Sequence, residues 1–229
     1  IQPSQFPYTT ITGANYDSGE YEKALDAALK ISDYAGLRAE QKRRIDSGAN
    51  KILGIGVSSY VEVTAPLGLF AEYGKVTIDD DGGATMVVGT SSHGQAHDTA
   101  FSMIVSDKLG IPMDKIRHVQ SDTDLVPRGA GTMGSRSLQT AGSAVFVASE
   151  NVLEQGKKIA ARLLEASEGD IVKGDGGLQV AGVPAKVVSW AQLAAESKKE
   201  GNELTHELDF SEGDSTYPFG THISVVEID

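Results

Sequence analysis

Cysteine is absent from this 229-residue chain. That excludes, within it, a disulfide framework, a thiolate zinc site, an iron–sulfur cluster and a cysteine nucleophile. It fits a reducing compartment. Positive charge is scarce: 20 Lys and Arg stand against 32 Asp and Glu, a formal net charge of -12. Such a balance argues against non-specific binding to nucleic acid or to anionic membranes. A phosphate group must then be bound locally, by backbone N–H groups and one or two placed arginines. Apolar runs long enough for a membrane span are missing. The start, from Ile1 to Pro7, has neither a basic n-region nor an apolar h-region, and no Asn-x-Ser/Thr sequon occurs. Nothing therefore points to secretion, and the cytoplasm is the expected location. The P-loop and the G-x-S-x-G nucleophile elbow are also absent.

What is present suffices for a core. Apolar residues make up 40% and charged residues 23%, which is ordinary globular usage. Residues 1–15 read as an extended arm rich in Pro, Thr and Gly. Asp17 and Glu20 resemble a capping box ahead of a helix with Tyr21, Ala24, Leu25, Ala28 and Leu29 on one face. A second, charged helix is expected over 34–47. Alternation predicts strands over 51–64, from Leu69 through Tyr73 to Ile78, and over 84–90. Asp79-Asp80-Asp81-Gly82-Gly83 is a hairpin signal; a calcium site is the sharper reading and a solvated turn the simpler one.

Two Gly- and Ser-rich loops follow, each after a strand and before an apolar helix. The first is Thr90-Ser91-Ser92-His93-Gly94-Gln95-Ala96-His97, leading to a helix whose expected inner face is Ala100, Met103, Ile104 and Leu109. The second runs from Arg128 to Ser137 and feeds the longest helix, with Leu138, Ala141, Val145, Ala148, Val152, Ile159 and Leu163 at 3/4 spacing. Further strands are expected at 171–172, 178–180 and 222–228, and a short helix from Ser189 to Lys199. The fold class is α+β: mixed sheets with packed helices, built on a loosely duplicated strand–loop–helix unit. Two small subdomains around the two loop–helix units fit this pattern. The expected organisation is residues 1–50 as arm and helices, and 51–229 as the binding domain.

The loops carry the chemistry. His93 and His97 have metal-ligand spacing, but Gly94 stands where a zincin has Glu. Hydrogen bonding from a helix start is the simpler use, with exposed N–H groups at Gly94, Gln95 and Ala96 and side-chain donors on Gln95 and His97. Gly134-Ser135-Arg136-Ser137 admits two readings. One is an anion cradle of N–H groups, hydroxyls and a guanidinium. The other is a capped helix start, with Ser135 as N-cap and Arg136 in solvent.

Together these segments resemble a known family. Ser92 to Thr99, Ser121-Asp122-Thr123-Asp124, and Gly131-Thr132-Met133-Gly134-Ser135-Arg136-Ser137 are similar to the molybdopterin-binding large subunit of molybdenum hydroxylases, the xanthine dehydrogenase and aldehyde oxidase family. The G-T-x-G-S-R-S run, the arm Phe6-Pro7-Tyr8-Thr9-Thr10 and the stretch Tyr217 to His222 look most like the aerobic carbon monoxide dehydrogenase branch. The resemblance implies binding of molybdopterin cytosine dinucleotide with molybdenum. Gly94, Gln95, Ala96, His97 and Thr99 would face the pterin and pyrophosphate. Thr132, Met133, Gly134, Ser135, Arg136 and Ser137 would hold the dinucleotide half, with Arg136 on phosphate. One departure is Ala96, where the family commonly has Gly.

The resemblance further implies an oxidoreductase acting on CO, an aldehyde or a heterocycle, with iron–sulfur and flavin subunits or domains as partners and a homodimeric complex. The family's active-site loop and catalytic glutamate have no counterpart here, so no catalytic or metal-ligating residue is assigned and an internal, inactive part of a longer subunit is expected. The alternatives are a stand-alone, non-redox module for an anionic nucleotide, and a catalytically degenerate scaffold.

Overall fold

The structure is a computed structural model. It describes all residues except 66–70, 184–185 and 212. The strand start expected at Leu69 lies outside the described residues. In chain order the elements are β1 (Tyr8–Thr9), β2 (Asn15–Tyr16), α1 (Tyr21–Ile31), α2 (Tyr34–Asp46), β3 (Ile52–Val61), β4 (Glu72–Ile78), β5 (Ala84–Val88), α3 (His97–Leu109), β6 (Ile116–Val119), α4 (Ser143–Leu164), β7 (Ile171–Gly174), β8 (Gly177–Val180), β9 (Val187–Ser189), α5 (Trp190–Lys199), β10 (Thr205–Phe210) and β11 (Phe219–Ile228). A π-helical segment, Leu138–Gly142, leads into α4. This is the mixed α+β architecture expected.

Two compact units form: residues 1–64 with 215–229, and residues 65–214. This partition differs from a division after residue 50, because β3 pairs along its length with β11, from Ile52↔Ile228 to Val61↔Phe219. Nor does each loop–helix unit make its own subdomain. Both lie in residues 65–214.

In the first unit α1 and α2 sit against the β3–β11 ribbon. Edge-on rings join its parts: Tyr21 lies 4.9 Å from Phe219 and 5.7 Å from Phe6 between centroids. The charged α2 uses its polar face. Gln41 donates to the Leu53 carbonyl at 2.7 Å, and Arg44 pairs with Glu40 at 2.7 Å and with Glu227 at 2.6 Å.

The second unit holds the hydrophobic core. Its main sheet has the order β10-β4-β5-β6, with β5 and β6 parallel and the other pairs antiparallel. A parallel neighbour requires a crossover, and α3 supplies it. The hairpin turn works as a turn: Asp81 Oδ1 accepts from the Gly83 N–H at 2.9 Å, and the Asp79 carboxylate accepts from Thr85 Oγ1 at 2.9 Å. Helix α4 buries Val145, Ala148, Val152 and Ile159 as its spacing predicts, while Leu138 and Leu163 stay exposed. On α3 the inner face is set by Phe101, Val105 and Leu109; Met103 faces outward. Of the expected face Leu109 is buried and Ala100 and Ile104 pack against the core, while Met103 is exposed and Phe101 and Val105 complete the inner face.

The small sheet β7-β8-β9 closes the far end around Trp190. The Trp190 indole N–H donates to the Leu109 carbonyl at 2.9 Å, satisfying its one buried donor. Gly156 of α4 makes room, since a Cβ there would lie 2.9 Å from that indole.

Candidate functional site

A cavity of about 460 Å³ opens where the start of α3 meets the π segment ahead of α4. Its walls are Gln95, His97, Ala100 and Phe101 on one side, and Thr132, Met133, Gly134, Ser135, Arg136, Ser137 and Leu138 on the other. The two loops singled out in the sequence thus converge on one space. Gly94, Ala96 and Thr99 do not line it; they shape or flank the first turn of α3.

Backbone conformation explains how both loops turn into helices. Gly94 and Ala96 adopt positive φ, at 110° and 56°, so the chain reverses before His97. In the second loop Gly131, Gly134 and Ser135 do so, at 87°, 55° and 52°. Left-handed backbone is strained for Ala and Ser. Gly129, Gly131 and Gly134 also have the G-x-G-x-x-G spacing, but no dinucleotide fold surrounds them: β6 ends at Val119, well before the first of these glycines.

Helix geometry leaves the first N–H groups of α3, and of the helix beginning at Ser137, without intrahelical acceptors. Both ends carry positive partial charge toward the cavity. Among the described residues no side-chain cap occupies either start, and the N-cap position before Leu138 is Ser137, not Ser135. The loops clasp one another: Thr132 Oγ1 donates to the Ser91 carbonyl at 2.5 Å and accepts from the Ser91 N–H at 3.0 Å. Ser121, from the third segment, donates to Ser91 Oγ at 2.7 Å. Ser137 Oγ approaches Thr132 Oγ1 at 3.4 Å. Gln95 turns back, its Oε1 accepting from the His93 N–H.

Arg136 departs from the reading that placed it in solvent. It is only 3% exposed, and its guanidinium forms an ion pair with the fully buried Glu72. It is therefore not in solvent, and its Nη1 is used within the protein, although the residue also lines the cavity. The reason is a counter-charge on β4, 64 residues away in sequence. Glu72 was not identified from the sequence, and a single acidic residue at a strand start carries no local signal.

His97 is buried in the wall and stacks on Phe101 at 5.1 Å, with His118 edge-on to the same ring at 5.8 Å. Burial holds the His97 pKa below its ordinary value, helped by His93 and opposed by Asp98. Burial likewise lowers His118. Both shifts favour the neutral imidazole. His97 Nδ1 and His118 Nε2 are buried and have no hydrogen-bond partner among the described residues. Among those residues no cluster of three or more His, Cys, Asp or Glu is arranged to hold a metal ion, and no helix is long and apolar enough to cross a membrane.

Residues 27–229 match the family model described as the molybdopterin cofactor-binding domain. The chain is 35% identical to the carbon monoxide dehydrogenase large chain of Hydrogenophaga pseudoflava, over 100% of this chain and 30% of that one. It is 32% identical to the nicotine 6-hydroxylase large subunit of Paenarthrobacter nicotinovorans, over 98% of this chain and 30% of that subunit. Among solved structures, reconstituted CO dehydrogenase from Oligotropha carboxidovorans superposes with a TM-score of 0.86 at 35% identity, covering 100% of this chain and 31% of the other. The chain thus spans about a third of the length of these relatives. It belongs to the molybdopterin cofactor-binding domain family.

Proposed function

We propose that this chain holds molybdopterin, in its cytosine dinucleotide form, within an oxidoreductase large subunit that oxidises a small substrate such as CO, an aldehyde or a heterocycle. The convergence of two uncapped helix starts on one cavity carries this reading. The residues present fit the group. The N–H groups of Ser137 and Leu138, at the first turn before α4, suit an anionic oxygen, as do those opening α3. Ala100, Phe101, Met133 and Leu138 give apolar surface for a flat heterocycle.

When bound, the cofactor supplies the two-electron redox chemistry. This chain's residues bind and orient it. Ser135 and Ser137 place hydroxyls at the dinucleotide side, and Gln95 and His97 face the pterin side. Gly94, Ala96 and Thr99 contribute through the backbone turn they form. Neutral His97 offers one hydrogen bond without adding charge. The relatives are named as a large chain and a large subunit, which supports partner subunits in the intact enzyme; iron–sulfur and flavin partners and a dimeric complex are what the family resemblance adds to the reading. The test is to purify the protein from its source, quantify molybdenum and identify the nucleotide released by hydrolysis. Equimolar molybdenum and cytosine nucleotide are expected; a molybdenum-free protein carrying another nucleotide overturns the reading.

A further inference from the structure

Glu72 begins β4 and is 0% exposed. A buried carboxylate persists only when its oxygens are partnered, and both are. Oε1 accepts from the N–H groups of Tyr73 at 3.1 Å and Ala130 at 3.3 Å. Oε2 takes the Arg136 guanidinium, whose Nη1 also donates to the Gly131 carbonyl at 2.9 Å. One carboxylate on the sheet therefore grips residues 130 and 136, the two ends of the loop whose middle lines the cavity. Beside it the backbones of Gly89 and Gly129 touch: a Cβ on Gly89 would lie 2.5 Å from the Gly129 Cα. All of these contacts are made within the protein itself.

We propose that Glu72 is the positioning residue of the cavity wall. Through the Ala130 N–H and Arg136 it presets the loop over 130–136, so that the helix start at Ser137 already faces the cavity when a ligand arrives. Preorganisation of this kind raises affinity by removing the ordering cost from the binding step. The identity of the ligand rests on the cofactor reading above; the preset loop does not. A merely structural ion pair behaves differently: replacing both buried charges with apolar side chains changes global stability at most and leaves the loop's local exchange and the cofactor content at wild-type values.

The experiment compares the intact enzyme with a Glu72→Leu/Arg136→Met double variant and with Glu72→Gln, which keeps the volume but aims an amide donor at other donors. Three quantities are read: the thermal midpoint, amide exchange over 129–137, and molybdenum and nucleotide per chain. The double variant is expected to fold with a lower thermal midpoint, because the Tyr73 and Ala130 N–H groups lose their acceptor, to exchange roughly tenfold faster over that loop, and to lose about tenfold in bound cofactor. Wild-type exchange, or wild-type cofactor content, in that variant overturns the proposal. Should the double variant not fold, Glu72→Gln decides on the same two loop and cofactor readouts, with the same outcomes. If the wild-type enzyme itself contains no molybdenum or nucleotide, the cofactor reading fails, and the exchange comparison alone still decides whether Glu72 sets the loop.

Discussion

At the scale of single residues, Ala96 shows how backbone and site are linked. Its φ of 56° lies where a Cβ is strained. That turn brings His97 to the cavity wall. Ala96→Gly is expected to stabilise the protein by about 1 kcal/mol, because relief of the left-handed strain exceeds the added freedom of the unfolded chain. Urea denaturation of the two proteins measures it; an unchanged or lower midpoint contradicts the strain. The sequence marked Ala96 as a departure from the family's glycine. Its left-handed conformation, a consequence of the reversal between Thr90 and His97, became visible only with the loop folded. Arg136 is the opposite case. Its presence at a helix start was legible, but its partner was not, since nothing near it in sequence names Glu72.

At the scale of elements, local chemistry was a good guide where periodicity and caps act within a few residues. Helix α5 is the clearest example. Ser189 Oγ accepts from the Gln192 N–H at 3.3 Å, and the Gln192 side chain accepts from the Ser189 N–H at 2.9 Å, a reciprocal capping box. Ser189→Ala should lower stability by about 1 kcal/mol, read as a lower denaturation midpoint with an unchanged denaturant slope. Helices α1 and α4 likewise follow their apolar spacing, but the expected Asp17–Glu20 capping box does not form: Glu20 is itself the N-cap position of α1, with no side-chain cap among the described residues. Strands β9 and β10 escaped notice because they are half-exposed, and β10 is a strand by virtue of its pairing with β4 from Thr205↔Thr77 to Phe210↔Glu72. On α3 the expected Ala100, Ile104 and Leu109 pack inward and Met103 does not; Phe101 and Val105 join the core only in the folded unit.

At the scale of the whole molecule, the two compact units differ in what holds them. The unit formed by residues 65–214 has a continuous buried core from Val76 to Leu204. In the other unit neither α1 nor α2 has a buried residue, and the β3–β11 ribbon leaves Ile52, Val57, Val225 and Ile228 more than a third exposed. Two strands alone are marginal in water, so the pairing itself matters there. Deleting residues 215–229 should raise amide exchange over Ile52–Val61 to unprotected rates, because β3 loses the strand that satisfies its backbone groups. Retained protection in β3 would show that another contact holds it.

The sequence by itself determined the α+β class, the helices and turns, the two Gly- and Ser-rich loops and the family resemblance. Each of these rests on interactions over a few residues, or on an ordered string of motifs. Tertiary structure alone decided three things. It brought the two loops to one cavity, because parallel pairing of β5 with β6 sets the α3 start beside the following loop. It drew Arg136 inward, because a buried Glu72 demands a counter-charge. It joined Ile52–Val61 to the far end of the chain, because a strand's partner is chosen by the folded sheet rather than by its neighbours in sequence.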